Sequence, residues 1–391
     1  MVKRKISEGV QLLAAVDWGR RLFDSLIPLP DGTSYNAYLV EGSEKAALID
    51  TVDPTMTGVL GGQLREVPEL NYVVAHHGEQ DHSGSLPFVL ERYPRAKVLV
   101  SLKGKEILSD HLHIPEEKFR VVQDGEEVSL GNKTLRFLYT PWVHWPETMV
   151  TYLKEEGILF TCDFFGSHFA TSDIFAREEQ VLEPAKRYFA EIMMPFRAAI
   201  EKNLEKIRGL SLEIIAPSHG PLWKNPSFIL EHYQKWVSAP PENLVVLPYV
   251  SMHGSTRLMV DYLSDELIKR NVRVAHFELP SSDLGKIAIS LVDAATVVLG
   301  TPTVHAGAHP YALFIASLAN ALRPKLKYAT IIGSYGWGGK TVEQITQALG
   351  NLKVEVLPPV LAKGLPRETD FRALEKLAEE IASRHEGLKE E

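Results

Sequence analysis

The sequence predicts an α/β protein in two parts: a strand-rich part over residues 1–240 and a doubly wound, five-stranded parallel part over 241–391. Three observations carry this. The 391 residues suit two domains of ordinary size. Before residue 240, short runs rich in Val, Ile, Tyr, Phe and Thr recur, and several end in His or Asp. Beyond it, strand and helix patterns alternate, as in a parallel sheet covered by helices on both faces.

The first strand-like runs are YNAYLVEG (35–42), KAALID (45–50), LNYVVAHH (70–77) and KVLV (97–100). TLRFLYT (134–140), MVTYL (149–153), GILFTCD (157–163) and EIIAPSH (213–219) follow. Over 184–208 apolar residues recur three and four apart, which predicts a helix. SAPPEN (238–243) closes this part, because two consecutive prolines stop a helix. LVVLPYVSM (244–252) then reads as a strand followed by a helix over 256–270. VRVAHFEL (272–279), TVVLG (296–300) and YATIIGS (328–334) are the next strands, with helices near 283–292, 308–322 and 340–350. LKVEVLPPV (352–360) is the fifth strand. A last helix over 368–385 places Phe371, Leu374, Leu377 and Ile381 on one face, and EGLKEE (386–391) reads as a solvated tail.

Composition removes several function classes. Lys+Arg is 42 against Asp+Glu 50, a net charge of −8 with no dominant basic block, which disfavours nucleic acid as a partner. Cys162 is the single cysteine, so an internal disulfide, a Cys-based zinc site and a Cys-ligated iron–sulfur cluster are all excluded. No stretch reaches the ~18 apolar residues of a membrane span. The N-terminal MVKRKISEGVQLLAAVDW has basic residues before a short apolar run, but the run ends at Asp17 and lacks a small-residue cleavage site. The expected location is the cytoplasm.

The strongest chemical signal is HHGEQDHSG (76–84), which packs His77, Glu79, Asp81 and His82 into six residues directly after an apolar strand. One such residue in a loop is ordinarily just solvated. Four at the end of a buried strand can converge on a ligand. His144 in TPWVHWPET, Asp163 in TCDFFG and His219 in PSHGPLW stand in the same strand-end context. Seven donors exceed the needs of one four-coordinate zinc. They suit two metals with a shared carboxylate, for which Asp163 is the natural choice. Imidazole with carboxylate and no thiolate favours iron, manganese or zinc.

A second signal lies beyond residue 250. The first strand there runs into Ser251, Met252, His253, Gly254, Ser255 and Thr256 and then a helix. Small and hydroxyl residues at a helix N-terminus make an anion site, since backbone N–H groups and the helix dipole both favour phosphate. Two later strand-end loops reinforce it. One holds Thr301, Pro302, Thr303, His305, Ala306 and Gly307, the other Ser334, Tyr335, Gly336, Trp337 and Gly338. Strand ends at a topological switch point are where a mononucleotide binds in such sheets, and Tyr335 and Trp337 are suited to stack on a flat ring.

The first part resembles the metallo-β-lactamase fold, an αββα sandwich that binds metals at strand ends between two sheets. Its hydrolases usually carry HxHxDH, whereas this chain has HxExDH, with Glu79 in place of the second His. That exchange, and the order of the remaining ligands, is similar to flavodiiron proteins. GTSYNAYLV (32–40) and HGPLW (219–223) are further family-like stretches. The second part resembles flavodoxin, and the absence of GxGxxG in its first loop disfavours a dinucleotide.

The resemblance implies a flavodiiron oxidoreductase with FMN and two irons, reducing O2 to water, NO to N2O, or both. It implies that His77, Glu79 and His144 hold one iron, that Asp81, His82 and His219 hold the other, and that Asp163 bridges. In some members the residue at the His82 position is not coordinated. Many members have a histidine in the N-terminal segment near the metals, but here the first histidine is His76. Phosphate contacts are implied for 251–256 and ring contacts for 301–307 and 334–338. Asparagines are frequent in the second loop of the family, where this chain has His305 and Ala306. A head-to-tail homodimer or a tetramer is implied, which sets the FMN of one subunit beside the irons of the next. The donor is expected to be external, either rubredoxin or reduced F420, because no CxxC pair is present. The competing reading is a dizinc hydrolase with an appended flavodoxin-like module.

Overall fold

The computed structural model describes residues 3–388, so the last three residues of the predicted tail lie outside it. The chain forms two compact units. One comprises the residues up to Phe189 together with Phe196–Val237, and the other comprises Ala190–Pro195 together with the chain from Ser238 onward.

The first unit is built on two sheets. One orders its strands as 4–7, 10–17, 33–41, 46–49, 72–74, 97–100 and 119–121. The other orders 127–129, 134–139, 149–153, 158–162 and 214–217. Alternation along each strand sorts the side chains into two cores. Leu13, Ala15, Tyr35, Ala37 and Leu39 share one core with Leu60, Val89 and Leu108 of the helices 57–63, 86–92 and 102–112, and with Leu64 just past the first of them. Leu12, Tyr38, Val40, Ile49 and Val74 turn to the opposite face and meet Leu135, Phe137, Met149, Ile158 and Phe160 of the second sheet. The helices 178–188, 197–208 and 226–238 follow, and Lys206 reaches from the second of them to the carbonyl of Tyr139, 2.8 Å away.

The N-terminal segment, to which the sequence pattern assigned no element, is built of strands, and the helix expected over 184–208 needs correction. Arg4–Ser7 and Val10–Asp17 are strands, and the second pairs antiparallel with Thr33–Glu41 along its whole length. The helix expected over 184–208 is broken into Glu178–Tyr188, a π-turn at Phe189–Met193, a 3-10 turn at Met194–Phe196, and Arg197–Arg208. Pro195 lacks the N–H that a continuous helix needs there. Periodicity on either side survives the break, which is why the pattern reads through it.

The second unit is a parallel sheet in the order 273–278, 242–249, 294–304, 328–335, and then 355–356 with 360–363. The fifth strand is therefore in two pieces, interrupted by Pro358 and Pro359, which cannot donate to a sheet ladder. Helices 284–293, 310–322 and 341–348 enclose one core around Leu244, Val246, Val297 and Ile331. Helices 255–269 and 368–387 enclose the other around Val245, Leu247, Val298 and Ile332. Order reverses between the first and third strands of the unit, so the loops after 249 and 304 flank the switch point. Among the described residues, no helix is long and apolar enough to cross a membrane.

His385 locks the last helix to this sheet. It is 1% exposed, with Nε2 2.7 Å from Thr296 Oγ1 and Nδ1 2.8 Å from Asn243 Oδ1. Burial pulls the imidazole down to about 4. Destabilisation therefore begins as the pH falls below ~6.5, where the unfolded chain takes up the proton, and is complete near pH 4. It amounts to a loss on the order of 3 kcal/mol. Thermal unfolding of the full chain and of His385→Gln between pH 7 and 4.5 should show the wild type losing more stability than the variant. Parallel curves would contradict this.

Candidate functional site

Every predicted ligand of the first unit sits just past a strand. His77 and Glu79 lie in the loop after Tyr72–Val74, and Asp81 and His82 lie in the short helix Gln80–Ser83. His144 lies between Thr134–Tyr139 and Met149–Leu153, Asp163 directly after Ile158–Cys162, and His219 two residues past Ile214–Pro217. Ligand atoms of His77, Glu79, His144 and Asp163 all lie within 4.8 Å of one another. Asp81, His82 and His219 form a second group at the same spacing.

Asp163 joins the groups. Its Oδ1 is 2.8 Å from His82 Nε2 and 3.4 Å from His219 Nε2. Its Oδ2 is 3.5 Å from His77 Nε2 and 3.4 Å from His144 Nε2. Glu79 Oε2 stands 3.1 Å from both His77 and His144, and Asp81 Oδ2 stands 3.1 Å from His219. Both oxygens of Asp81 and Oδ2 of Asp163 are nonetheless buried without a well-directed hydrogen bond. Their lone pairs point into shared space rather than at a proton, and such burial is costly unless a cation takes them up.

The electrostatics agree. Burial opposes charge on His77, but its bonds to Glu147 and Glu79 and the charge of Asp163 outweigh that and push it to about 10. Burial likewise opposes charge on His219, yet Asp163 and Asp81 hold it near 10. Carboxylates raise His82 and His144 to about 9 in the same way. Burial works against ionisation of Asp163 and Glu79, but the surrounding imidazoles keep both carboxyls well below their ordinary range. Protons here occupy positions that two cations would fill, and metal binding would release them. Seven nitrogen and oxygen donors with one shared carboxylate fit a pair of irons.

Several supporting residues escaped sequence reasoning, because only the tertiary fold brings them in. The Tyr188 hydroxyl donates to Asp163 Oδ1 at 2.7 Å. Glu147 accepts from His77 Nδ1 at 2.8 Å, and the Ser34 carbonyl accepts from His219 Nδ1 at 2.9 Å. Asp50 accepts from the backbone and Nδ1 of His76, which anchors the end of the ligand-bearing strand. A cavity of about 450 Å³ opens beside Glu79 and Asp81, walled by Arg20, Phe23, Asp24 and Trp145 among others. The N-terminal segment thus supplies Phe23 and Asp24, with no histidine. Burial and the charges of Glu79 and Asp81 push the Asp24 carboxyl up.

In the second unit, Ser251, Met252, His253, Ser255, Thr256, Pro302, Thr303, Ser334, Tyr335 and Gly336 line one cavity of about 190 Å³. Gly254, at φ 89°, caps the helix 255–269 and opens its N-terminus. The backbone N–H of Arg257 donates to Ser251 Oγ at 3.2 Å, and Thr256 Oγ1 lies 3.2 Å from Ser334 Oγ. An adjoining cavity of about 360 Å³ includes Thr303, Tyr335, Gly338 and Lys340. Other expected contacts stand apart from these walls. Thr301 is buried, with its hydroxyl on the Pro302 carbonyl. His305 and Ala306 form an exposed turn with φ 50° and 59°, closing a hairpin between Thr303–Val304 and Gly307–Ala308. Trp337 is 76% exposed. Gly364, past the fifth strand, joins the first cavity although no motif marked it.

A β-lactamase-like sandwich with a bridged two-metal constellation, followed by a flavodoxin-like sheet, defines the class. Residues 33–220 match the family described as ODP family beta lactamase. The chain belongs to the flavodiiron protein family. It is 34% identical to a nitric oxide reductase of Moorella thermoacetica, over 97% of this chain and 98% of that protein. It is 32% identical to a rubredoxin-oxygen oxidoreductase of Megalodesulfovibrio gigas, over 98% of each. Among solved structures, rubredoxin oxygen:oxidoreductase of Desulfovibrio gigas superposes with TM-score 0.95 at 30% identity, covering 99% of both chains. The flavodiiron protein of Giardia intestinalis superposes with TM-score 0.93 at 26% identity, covering 100% of this chain and 98% of that one.

Proposed function

We propose that this chain is a flavodiiron oxidoreductase that reduces O2 to water, NO to N2O, or both, with FMN in the second unit and two irons in the first. The observation that carries the reading is Asp163, each of whose oxygens faces two imidazoles on its own side. His77, Glu79 and His144 would hold one iron and Asp81, His82 and His219 the other, with Asp163 between them. FMN, which exchanges electrons singly or in pairs, and two redox-active irons supply the electrons for such a reduction. The chain's own residues bind, orient and shield. Tyr188 fixes Asp163, Glu147 fixes His77, and the cavity beside Glu79 and Asp81 admits a diatomic gas.

In the second unit, Ser251, Ser255 and Thr256 would hold the FMN phosphate at the helix N-terminus, with Tyr335 beside the ring. The names of the relatives from Moorella and Megalodesulfovibrio support NO and O2 as substrates and a rubredoxin-type donor. Reduced F420 is the alternative donor. The proposed assembly is a head-to-tail dimer, or a tetramer made of two such dimers, in which the FMN of one copy serves the metals of another. The test is turnover of anaerobically purified protein with reduced rubredoxin and either O2 or NO. Consumption of O2 or NO at an ordinary enzymatic rate, on the order of 1–10³ s⁻¹, is expected. Inert protein that instead hydrolyses esters or thioesters in a zinc-loaded form would favour the dizinc hydrolase.

A further inference from the structure

The two metal subsites differ in what stands behind their histidines. Nδ1 of His77 donates to a carboxylate, Glu147 Oε1, at 2.8 Å. Nδ1 of His219 donates to a neutral carbonyl, that of Ser34, at 2.9 Å. Nδ1 of His82 is buried and has no hydrogen-bond partner among the described residues. Glu147 is itself 3% exposed and tightly placed. The backbone N–H of Gly78 donates to the same Oε1 at 2.9 Å, and the Ser101 hydroxyl donates to the Glu147 carbonyl at 2.8 Å. A Cβ on Gly78 would lie 2.4 Å from Ile107 Cγ2, so glycine is what lets this N–H come against the carboxylate. The second oxygen, Oε2, is buried with no hydrogen-bond partner. Among the described residues, His77 is the ion-pair partner found for this carboxylate, so its charge is directed through His77.

We propose that Glu147 is a positioning residue that makes the two subsites electronically unequal. By anchoring Nδ1 of His77 with a buried negative charge, it makes that imidazole the stronger donor. The metal at His77, Glu79 and His144 is thereby held more tightly, and at a lower reduction potential, than it would be behind a neutral partner. A carboxylate on the distal nitrogen of a ligating imidazole raises ligand basicity and fixes the ring. Each subsite has one carboxylate of its own, Glu79 or Asp81, and shares Asp163. Glu147 is the added carboxylate hydrogen-bonded directly to the far nitrogen of a ligand histidine, and it stands on one side only. This inference rests on the two-metal reading given above.

The experiment compares Glu147→Gln, Glu147→Asp and wild type as full-length apoprotein titrated with Co(II) alone, followed by redox titration of the iron-loaded forms. Gln keeps an acceptor for His77 and for Gly78 but removes the charge. One of the two cobalt affinities should weaken about 10-fold in the Gln variant while the other holds, with partial recovery in the Asp variant. One of the two iron midpoints should move to a higher potential and the other stay fixed. A purely structural Glu147 would leave Gln indistinguishable from wild type, and that result, or equal weakening of both subsites, overturns the proposal. Wild-type protein that binds no pair of metals would overturn the two-metal reading itself.

Discussion

Asp163→Ala is expected to empty both metal subsites and abolish gas reduction while leaving the flavin bound. Asp163 faces four imidazoles through two oxygens and is 1% exposed, so no other side chain can slide into its place. Its removal leaves His77, His82, His144 and His219 without the negative charge that draws cations between them. The loss should exceed the ~10–100-fold that follows removal of a supporting hydrogen-bond partner. The second unit has its own cores and its own cavities, so flavin absorbance should persist. Metal content by elemental analysis, flavin content by absorbance and O2 consumption read all three consequences in one preparation. Full O2 reduction by this variant would sink the site assignment.

Ser255→Glu is expected to give the mirror image, with metals retained and FMN rejected. Ser255 is the first residue of the helix 255–269 and lines the cavity with Ser251 and Thr256. A glutamate there suits the helix, whose N-terminal dipole favours negative charge, so folding should be unharmed. The same charge would stand where the flavin phosphate belongs. Like charges brought together cost several kcal/mol, so FMN affinity should fall at least ~100-fold. Electron delivery to the metals would then fail although the metals are present. Equilibrium titration of apoprotein with FMN measures the effect, and unchanged affinity would place the phosphate elsewhere.

These two variants follow from what the sequence made legible. The candidate metal ligands stood out because each follows an apolar strand, and a polar residue at the end of a buried strand has few ordinary reasons to be there. The doubly wound sheet was readable because both of its faces are buried, which leaves continuous apolar runs such as LVVL and TVVLG. What the sequence hid depends on distance along the chain. Tyr188 is 25 residues from Asp163, and Glu147 is 70 from His77, so no local spacing announces either bond. The strand Val10–Asp17 was hidden because its basic approach and apolar run mimic another kind of segment. Pro195 and Pro358–Pro359 break elements whose side-chain periodicity carries on regardless. At the flavin loops the strand-end positions were visible. The turn at His305 and Ala306 was not, because those residue types do not advertise positive φ.

One chain that holds both a pair of irons and a flavin is best tested by the metal and flavin content of anaerobically purified protein. Two irons and one FMN per chain are expected. Two zincs and no flavin would contradict this and return the molecule to the hydrolases whose sandwich it shares.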